Sequence, residues 1–319
     1  MDALLIMLKN VVMFVLLALP GFLLVKFKIL EKKQSNGLSI LLMYVGMPFL
    51  IFGSIINNIV FEKEVLSMMS IVFGIGVIYT FIMFFVSKPL TKMECHKKTQ
   101  GMMRFSAVFS NNGFLGIPLA MAVFGANSKV LTVVIVLNII TNILMYTLGT
   151  YLVSGDKKSI SLKKAFLNPV LIAFIIGIIA NLLRVKEIVP EVATYTAHFS
   201  NLVTPISMTI LGMKMGDVKF KELFKSWKTY YVSALKLIVF PAVITGIVIL
   251  LNPISQVITT DVLLGVLIAF AMPTAGLAST FSDKFGGDTE NAVAFTLGTT
   301  VLSIITIPLL YWGVCSLLI

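Results

Sequence analysis

Asn111 and Asn112 stand side by side in FSNNGFLGIPLAMAVFG (residues 109–125), and Asn138 and Asn142 follow in the next apolar stretch. An amide side chain offers two donors and one acceptor and carries no charge. The spacing of four puts Asn138 and Asn142 on one helical face, with Thr141 beside them. Such groups can hold a carboxylate or a partly dehydrated ion; the plainer use is hydrogen bonding between helices. The same stretch carries Gly113, Gly116 and Pro118, and a second one, AMPTAGLAST (residues 271–280), carries Met272, Pro273, Thr274 and Ala275. Glycine and proline interrupt helices. A break inside an apolar helix exposes free N–H groups and about half a positive charge at the new N-terminus, which suits a carboxylate. Pro118 is expected in the first turn of the second half-helix, where its missing N–H costs nothing. Thr274 adds a hydroxyl. All of these residues are taken as candidate contacts for an anionic substrate.

Ionisable chemistry is sparse. No Asp or Glu lies in the middle of an apolar stretch: Asp261 and Asp283 sit at the two ends of the ninth, and Glu290 opens the tenth. A proton relay through a buried carboxylate is therefore disfavoured. This leaves an anion moving alone down the membrane potential, an ion coupled through amide and carbonyl oxygens, or a proton carried with the substrate. Asp283, Glu290 and Lys236 are the candidate coupling or gating groups. Lys236, inside the eighth stretch, either snorkels to the inner surface or attracts anions to an inner vestibule. An enzyme is not expected: His96 and His198 lie in a loop and at the edge of a stretch, and Ser110 and Ser279 have no base nearby in sequence. Cys95 and Cys315 give neither a disulfide framework nor metal-ligand spacing. No metal and no cofactor is expected.

The elements that must position these residues are membrane spans. Of 319 residues, 58% are hydrophobic and 12% charged, about half the charged fraction of an ordinary soluble domain, and the mean hydropathy is +1.01. Ten apolar stretches lie near 3–25, 37–58, 65–87, 104–125, 129–153, 167–184, 194–214, 229–250, 260–283 and 290–315, each on the scale of a bilayer. The first reads as a retained span, since it lacks a basic leader and a small-residue cleavage site. The net charge of +11 sits in the loops, so it sets topology and does not call for nucleic acid. Odd-numbered loops hold 19 Lys or Arg, namely 26, 28, 32, 33, 88, 92, 97, 98, 104, 157, 158, 163, 164, 214, 219, 221, 225, 228 and 284; even-numbered loops hold 4, at 63, 129, 184 and 186. The positive-inside rule then places the odd loops in the cytoplasm and both termini outside. Residues 1–155 and 156–319 form two five-span halves. An odd number of spans per half makes two similar halves inverted in the membrane, and the breaks in spans four and nine occupy matching places, the sequence mark of a transporter's substrate site.

The two broken stretches, FSNNGFLGIPLAMAVFG and AMPTAGLASTFSDKFGGD, resemble those of the auxin efflux carrier family, including its bacterial members. LNPVLIAFIIGIIANLL resembles that family's sixth span and SMTILGMKM its seventh, so the resemblance runs along essentially the whole chain. It implies an all-α polytopic fold of ten helices in two inverted five-helix repeats, with spans four and nine crossing at the midplane. It implies a secondary transporter of a small organic anion, a mono- or dicarboxylate, working by alternating access in the cytoplasmic membrane as a homodimer, with Na+ or H+ as candidate coupling ions. The alternative is a membrane receptor that uses the same fold without flux. The long hydrophilic loop of the plant members is replaced by SGDKKSISLKKAF, so control through that loop is not carried over. The orientation is testable. A cysteine introduced after span five should be shielded from an impermeant thiol reagent in intact cells, while one between spans eight and nine should react; the reverse pattern would invert the topology.

Overall fold

Lipid offers the backbone no hydrogen bonds, so long apolar runs satisfy their own amides as helices. The computed structural model describes residues 2–58, 63–125, 128–160, 163, 166–216, 225–251 and 258–317. Among them, five helices are long and apolar enough to cross a bilayer unaided: α2 (Ser35–Asn57), α3 (Lys63–Leu90), α5 (Lys129–Ser154), α8 (Trp227–Leu251) and α10 (Thr289–Leu317). Between them run α1 (Asp2–Lys26), α4a (Lys97–Val108), α4b (Asn112–Phe124), α6 (Pro169–Leu182), α7a (Glu191–Ser200), α7b (Val203–Met215), α9a (Thr260–Ala271) and α9b (Ala278–Phe285). Local sequence sets their ends. Ser128 Oγ accepts from Leu131 N to open α5, and Asn168 Oδ1 accepts from Val170 N to open α6 with Pro169 in its first turn. Gly155, at φ 71°, closes α5 in a left-handed conformation. Of the loop cations, Lys164, Lys219 and Lys221 lie outside the described residues.

One boundary differs from expectation. The fourth stretch reads as opening near residue 104, but α4a begins at Lys97. Its first turn, residues 97–100, is polar and so looks like loop, yet it is helical. Arg104 is held within α4a, its guanidinium donating to Phe84 O (2.8 Å) and Ser87 Oγ (3.2 Å) on α3 and lying 5.1 Å from the centre of the Phe84 ring.

The helices pack in two groups. In one, α1 lies on α7b and α2 on α6 and α7a; in the other, α3, α4a, α5, α8, α9a, α9b and α10 pack together. Burial of α5 along Val130–Thr141 and of α9a along Val262–Ala271 puts these two helices at the centre. Helices α2, α5 and α8 each contain one widened turn closed by an i to i+5 hydrogen bond, at Leu42–Gly46, Met145–Gly149 and Leu235–Val239; such turns often mark functional positions. At the end carrying the odd-numbered loops, Lys228 Nζ pairs with buried Glu94 (2.5 Å), Thr99 donates to Asp288 (2.5 Å) and Tyr231 donates to Leu90 O (2.7 Å). The hydrogen bond from Lys228, then that from the His96 amide, holds the Glu94 carboxyl below its ordinary value.

Contact between α1 and α7b is backbone against backbone. A Cβ on Gly21 would stand 2.0 Å from Thr209 O, and one on Gly212 would stand 1.9 Å from Ala18 O. Small residues permit this approach, which is how helices associate in lipid. Gly212→Ala forces the pair apart and should cost about 1–3 kcal/mol, the usual penalty for overpacking, read as a lower melting temperature of the solubilised protein. An unchanged melting temperature would contradict the close approach.

Candidate functional site

The fourth and ninth apolar stretches are both broken, the fourth ahead of its glycines and Pro118. Helix α4a ends at Val108 and α9a at Ala271, and the chain beyond each turns extended, at Phe109 (φ −93°, ψ 122°) and Met272 (φ −63°, ψ 149°). The two breaks satisfy each other. Ser110 and Thr274 form an antiparallel bridge, with Asn111 N donating to Pro273 O (2.7 Å) and Ala275 N to Phe109 O (2.9 Å). Pro273 gives the bridge its carbonyl and has no N–H to leave unpaired. Thr274 is fully buried; its hydroxyl donates to Ser106 O (2.9 Å) and its amide to Thr299 Oγ1 (3.1 Å).

Helix α4b opens at Asn112 with a wide turn in which the amides of Leu115 and Gly116 both bond Asn111 O. Leu115 is thus the first amide of α4b with an acceptor, and those of Asn112, Gly113 and Phe114 precede it, as at any helix start. Pro118 lies in the first turn of the regular α-helical part, Ile117–Phe124, as expected, but a wide turn comes before it, so it does not open α4b itself. It sits six residues in, after the wide turn, because the break falls earlier, at the bridge.

Four asparagines form a chain beside this end. Asn138 Nδ2 donates to Asn112 Oδ1 (3.1 Å), Asn142 Nδ2 to Asn138 Oδ1 (3.2 Å) and Asn168 Nδ2 to Asn142 Oδ1 (3.2 Å). Asn112 Nδ2 donates to Thr141 Oγ1 (2.9 Å). Gly113 makes room for this, since a Cβ there would lie 2.8 Å from Asn138 Nδ2. The chain borders a cavity of about 50 Å³ lined by Ser110, Asn111, Asn112, Gly113, Asn138, Thr141, Asn142, Ala275 and Gly276, with Met43, Met47 and Met145 as part of its apolar wall. Among the described residues, the half-buried Asn111 side chain is the lining amide that makes no hydrogen bond of its own.

Lys236 does not snorkel. It lies in the wide turn of α8 with no exposed surface, and its Nζ donates to Ser110 Oγ (2.5 Å) and, more weakly, to Phe270 O (3.5 Å) at the end of α9a. Ser110 has no base nearby in sequence, and the fold brings this amine to it across 126 positions.

Of the candidate residues, Asn111, Asn112, Gly113, Asn138, Asn142 and Ala275 line the cavity; Gly116, Pro118, Met272, Pro273 and Thr274 lie off it, in the walls and the bridge. Exposed Asp283 accepts from Thr289 Oγ1 (2.6 Å) and borders a separate polar cavity with Lys33 and Lys214, while Glu290 is exposed in the first turn of α10. Sequence reasoning missed Asn168 and Lys214. The Asn-Pro pair at the start of α6 signals a cap, and Asn168 is one, but its second partner, Asn142, is visible only in the fold. Lys214 counted as a topological lysine; its Nζ donates to Gly276 O (3.0 Å) in the α9 break.

The sequence model of the membrane transport protein family matches residues 6–161 and 157–311. The chain belongs to this family. It is the auxin efflux carrier-like family that the broken stretches resemble. Similar proteins include an uncharacterized transporter of Methanothermobacter thermautotrophicus, 26% identical over 308 residues that cover 96% of this chain and 97% of that protein. An uncharacterized transporter of Methanocaldococcus jannaschii is 26% identical over 313 residues, covering 95% and 97%. As a membrane transport protein this is a multi-pass helical transporter, and its polar cavity beside two paired helix breaks is the candidate site.

The geometry separates two kinds of asparagine. Asn138→Ala would leave Asn112 Oδ1 without its partner and take one of two acceptors from Asn142 Nδ2, which keeps its 2.8 Å bond to the carbonyl of residue 138, and should destabilise the protein by about 1–3 kcal/mol. Asn111→Ala breaks no hydrogen bond and should leave the melting temperature near that of the wild type. Equal losses in the two variants would contradict the network.

Proposed function

We propose that this membrane transport protein is a secondary carrier of a small carboxylate, whose head group binds in the asparagine-lined cavity and is moved by alternating access. The observation that carries this reading is the N-terminus of α4b. The amides of Asn112, Gly113 and Phe114 and the uncommitted Asn111 side chain meet at a cavity that Ser110 and Ala275 also line. A helix N-terminus without acceptors favours an anion, and amides supply donors without a fixed charge that would hold the anion too tightly to release. A cavity of about 50 Å³ has room for roughly four waters, hence for a carboxylate and little more. This favours short aliphatic acids over ring-bearing ones. Thr274 is reassigned from substrate contact to holding the bridge.

Residues 1–155 and 156–319 are the two inverted halves of the carrier in this reading, ten spans in all, with the α4 and α9 breaks crossing near the midplane. The packing supports it: exchanging the halves turns the α1–α7 contact into α6–α2, α5–α9 into α10–α4, and α3–α5 into α8–α10, and each of these contacts occurs. Two further polar cavities of similar size are present among the described residues. One, about 340 Å³, is lined by Ser54, Asn57, Lys186 and Ser200; the other, about 350 Å³, by Lys33, Lys214, Ser279 and Asp283. They are read as the outer and inner vestibules of a carrier in the cytoplasmic membrane, with both termini outside and a homodimer as the assembly.

Acetate, lactate, malonate, malate and indole-3-acetate, each with and without sodium, make the test. A bound carboxylate must raise the melting temperature of the purified protein, by the equivalent of about 2.7 kcal/mol at a hundred times its dissociation constant. It should also exchange across proteoliposome membranes, and Asn111→Ala should weaken affinity about tenfold, which at the same concentration leaves about 1.4 kcal/mol of the stabilisation. If no acid in the panel shifts the melting temperature or exchanges, the carboxylate carrier is wrong; a shift without exchange would make the protein a receptor.

A further inference from the structure

Lys236 is the polar group that the cavity does not account for. Its side chain is wholly buried, yet among the described residues no carboxylate faces it. Of the helices packed against its turn, α4a carries Lys97 and Lys98, exposed in its first turn, and Arg104, which donates to Phe84 O and Ser87 Oγ on α3. Helix α9a carries Asp261, in its first turn and nine residues from Phe270, about 13 Å along the axis. Helix α10 carries Glu290 in its exposed first turn and Tyr311 and Cys315 near its other end. On α8 itself, Lys228 is paired with Glu94, Tyr230 is exposed and Tyr231 donates to Leu90 O. Tyr79 of α3 packs its ring on Phe270, 4.2 Å between centres. The ammonium therefore has hydrogen-bond acceptors and, among the described residues, no counter-charge. A charge in a dry interior without a counter-charge is costly and sheds its proton or finds a partner. Ser110 Oγ, which accepts from Lys236 Nζ, also lines the cavity, so one hydroxyl separates the amine from the space where the anion binds.

We propose that Lys236 takes up one proton as the anion binds and gives it up as the anion leaves, with Ser110 as the hydroxyl through which the proton passes. This rests on the carboxylate-carrier reading. On release, Lys236 passes a proton to Ser110 Oγ while Ser110 passes its own hydroxyl proton to water or carboxylate in the cavity; the amine ends neutral and the serine unchanged. Uptake is the reverse. Anion and proton stabilise each other at neighbouring places, and that coupling is reciprocal. The loaded carrier then holds a compensated pair and the empty carrier holds no charge on Lys236, so neither has to move that charge unpaired through a region where one is expensive. A monocarboxylate crosses without net charge, and a dicarboxylate dianion crosses with one negative charge. The lack of acidic residues in the spans, which favours an anion moving alone, leaves this route open because the proton sits on a base.

The test uses the full chain in proteoliposomes, with potassium and valinomycin holding the potential at zero and protein-free vesicles correcting for leak of the free acids. Radiolabelled lactate, malate, malonate and indole-3-acetate are the probes, and an entrapped pH dye reads protons. An inward proton gradient should drive accumulation of a carried probe, with one proton entering per molecule. Lys236→Arg holds its proton permanently, so net uptake should fall at least tenfold more than anion exchange. In Lys236→Met, residual uptake should lose its dependence on the proton gradient. Should either fold poorly, Ser110→Ala, which cuts the link to the cavity, should slow proton-linked uptake at least tenfold more than it slows anion exchange. Flux in the wild type that ignores the proton gradient, or an arginine variant with the wild-type ratio of uptake to exchange, overturns the coupling and leaves the carrier standing. If no probe binds or moves, the carrier reading fails and this one falls with it.

Discussion

The two hydrogen bonds between the helix breaks, Asn111 N to Pro273 O and Ala275 N to Phe109 O, are the constraint on which the rest depends. One interrupted helix in a bilayer leaves several backbone groups without partners, each at a cost of kcal/mol. Two interrupted helices that meet can pair their loose backbone and leave other groups free by design. Once the bridge is made, its neighbours divide by task. Thr274, with both its hydroxyl and its amide engaged, holds the bridge to α4a and α10. Asn111 and the first amides of α4b face the cavity with bonds to spare.

Polarity is then distributed by helix ends. The N-terminal end of α4b, with its positive dipole, faces the cavity, while a carbonyl at the C-terminal end of α9a faces Lys236. The asparagine chain through Asn112, Asn138, Asn142 and Asn168 fixes the wall opposite and links α4b, α5 and the start of α6. A site preorganised in this way spends little on ordering its groups when a ligand arrives. Chained amides also have a definite direction of donation, so an anion at one end is felt by its neighbours.

Much of this is legible in the sequence because it follows from composition and spacing. Apolar runs of bilayer length identify the helices, the breaks appear as Asn-Gly and Met-Pro within such runs, and a spacing of four places Asn138 and Asn142 on one face. These are local properties, decided by how each segment partitions between water and lipid and by which residues a helix tolerates. Errors came where a local rule had two outcomes. Polar residues 97–100 could be loop or helix, and Pro118 could start a half-helix or follow its wide first turn.

Destinations of long or deeply placed side chains were not legible. Lys236 either snorkels or turns inward by the same local physics. The fold turns it to Ser110, 126 positions away, because α8 packs against α4a with that turn facing the break. Lys214, Asn168 and Thr274 found their partners at Gly276, Asn142 and Ser106 for the same reason. The sequence by itself determined that the chain crosses a membrane, where its helices are interrupted and that the interruptions carry amides. Only the tertiary structure decided which interrupted strand meets which, and which buried donor finds which acceptor, since those choices depend on the packing of helices that are far apart in the chain.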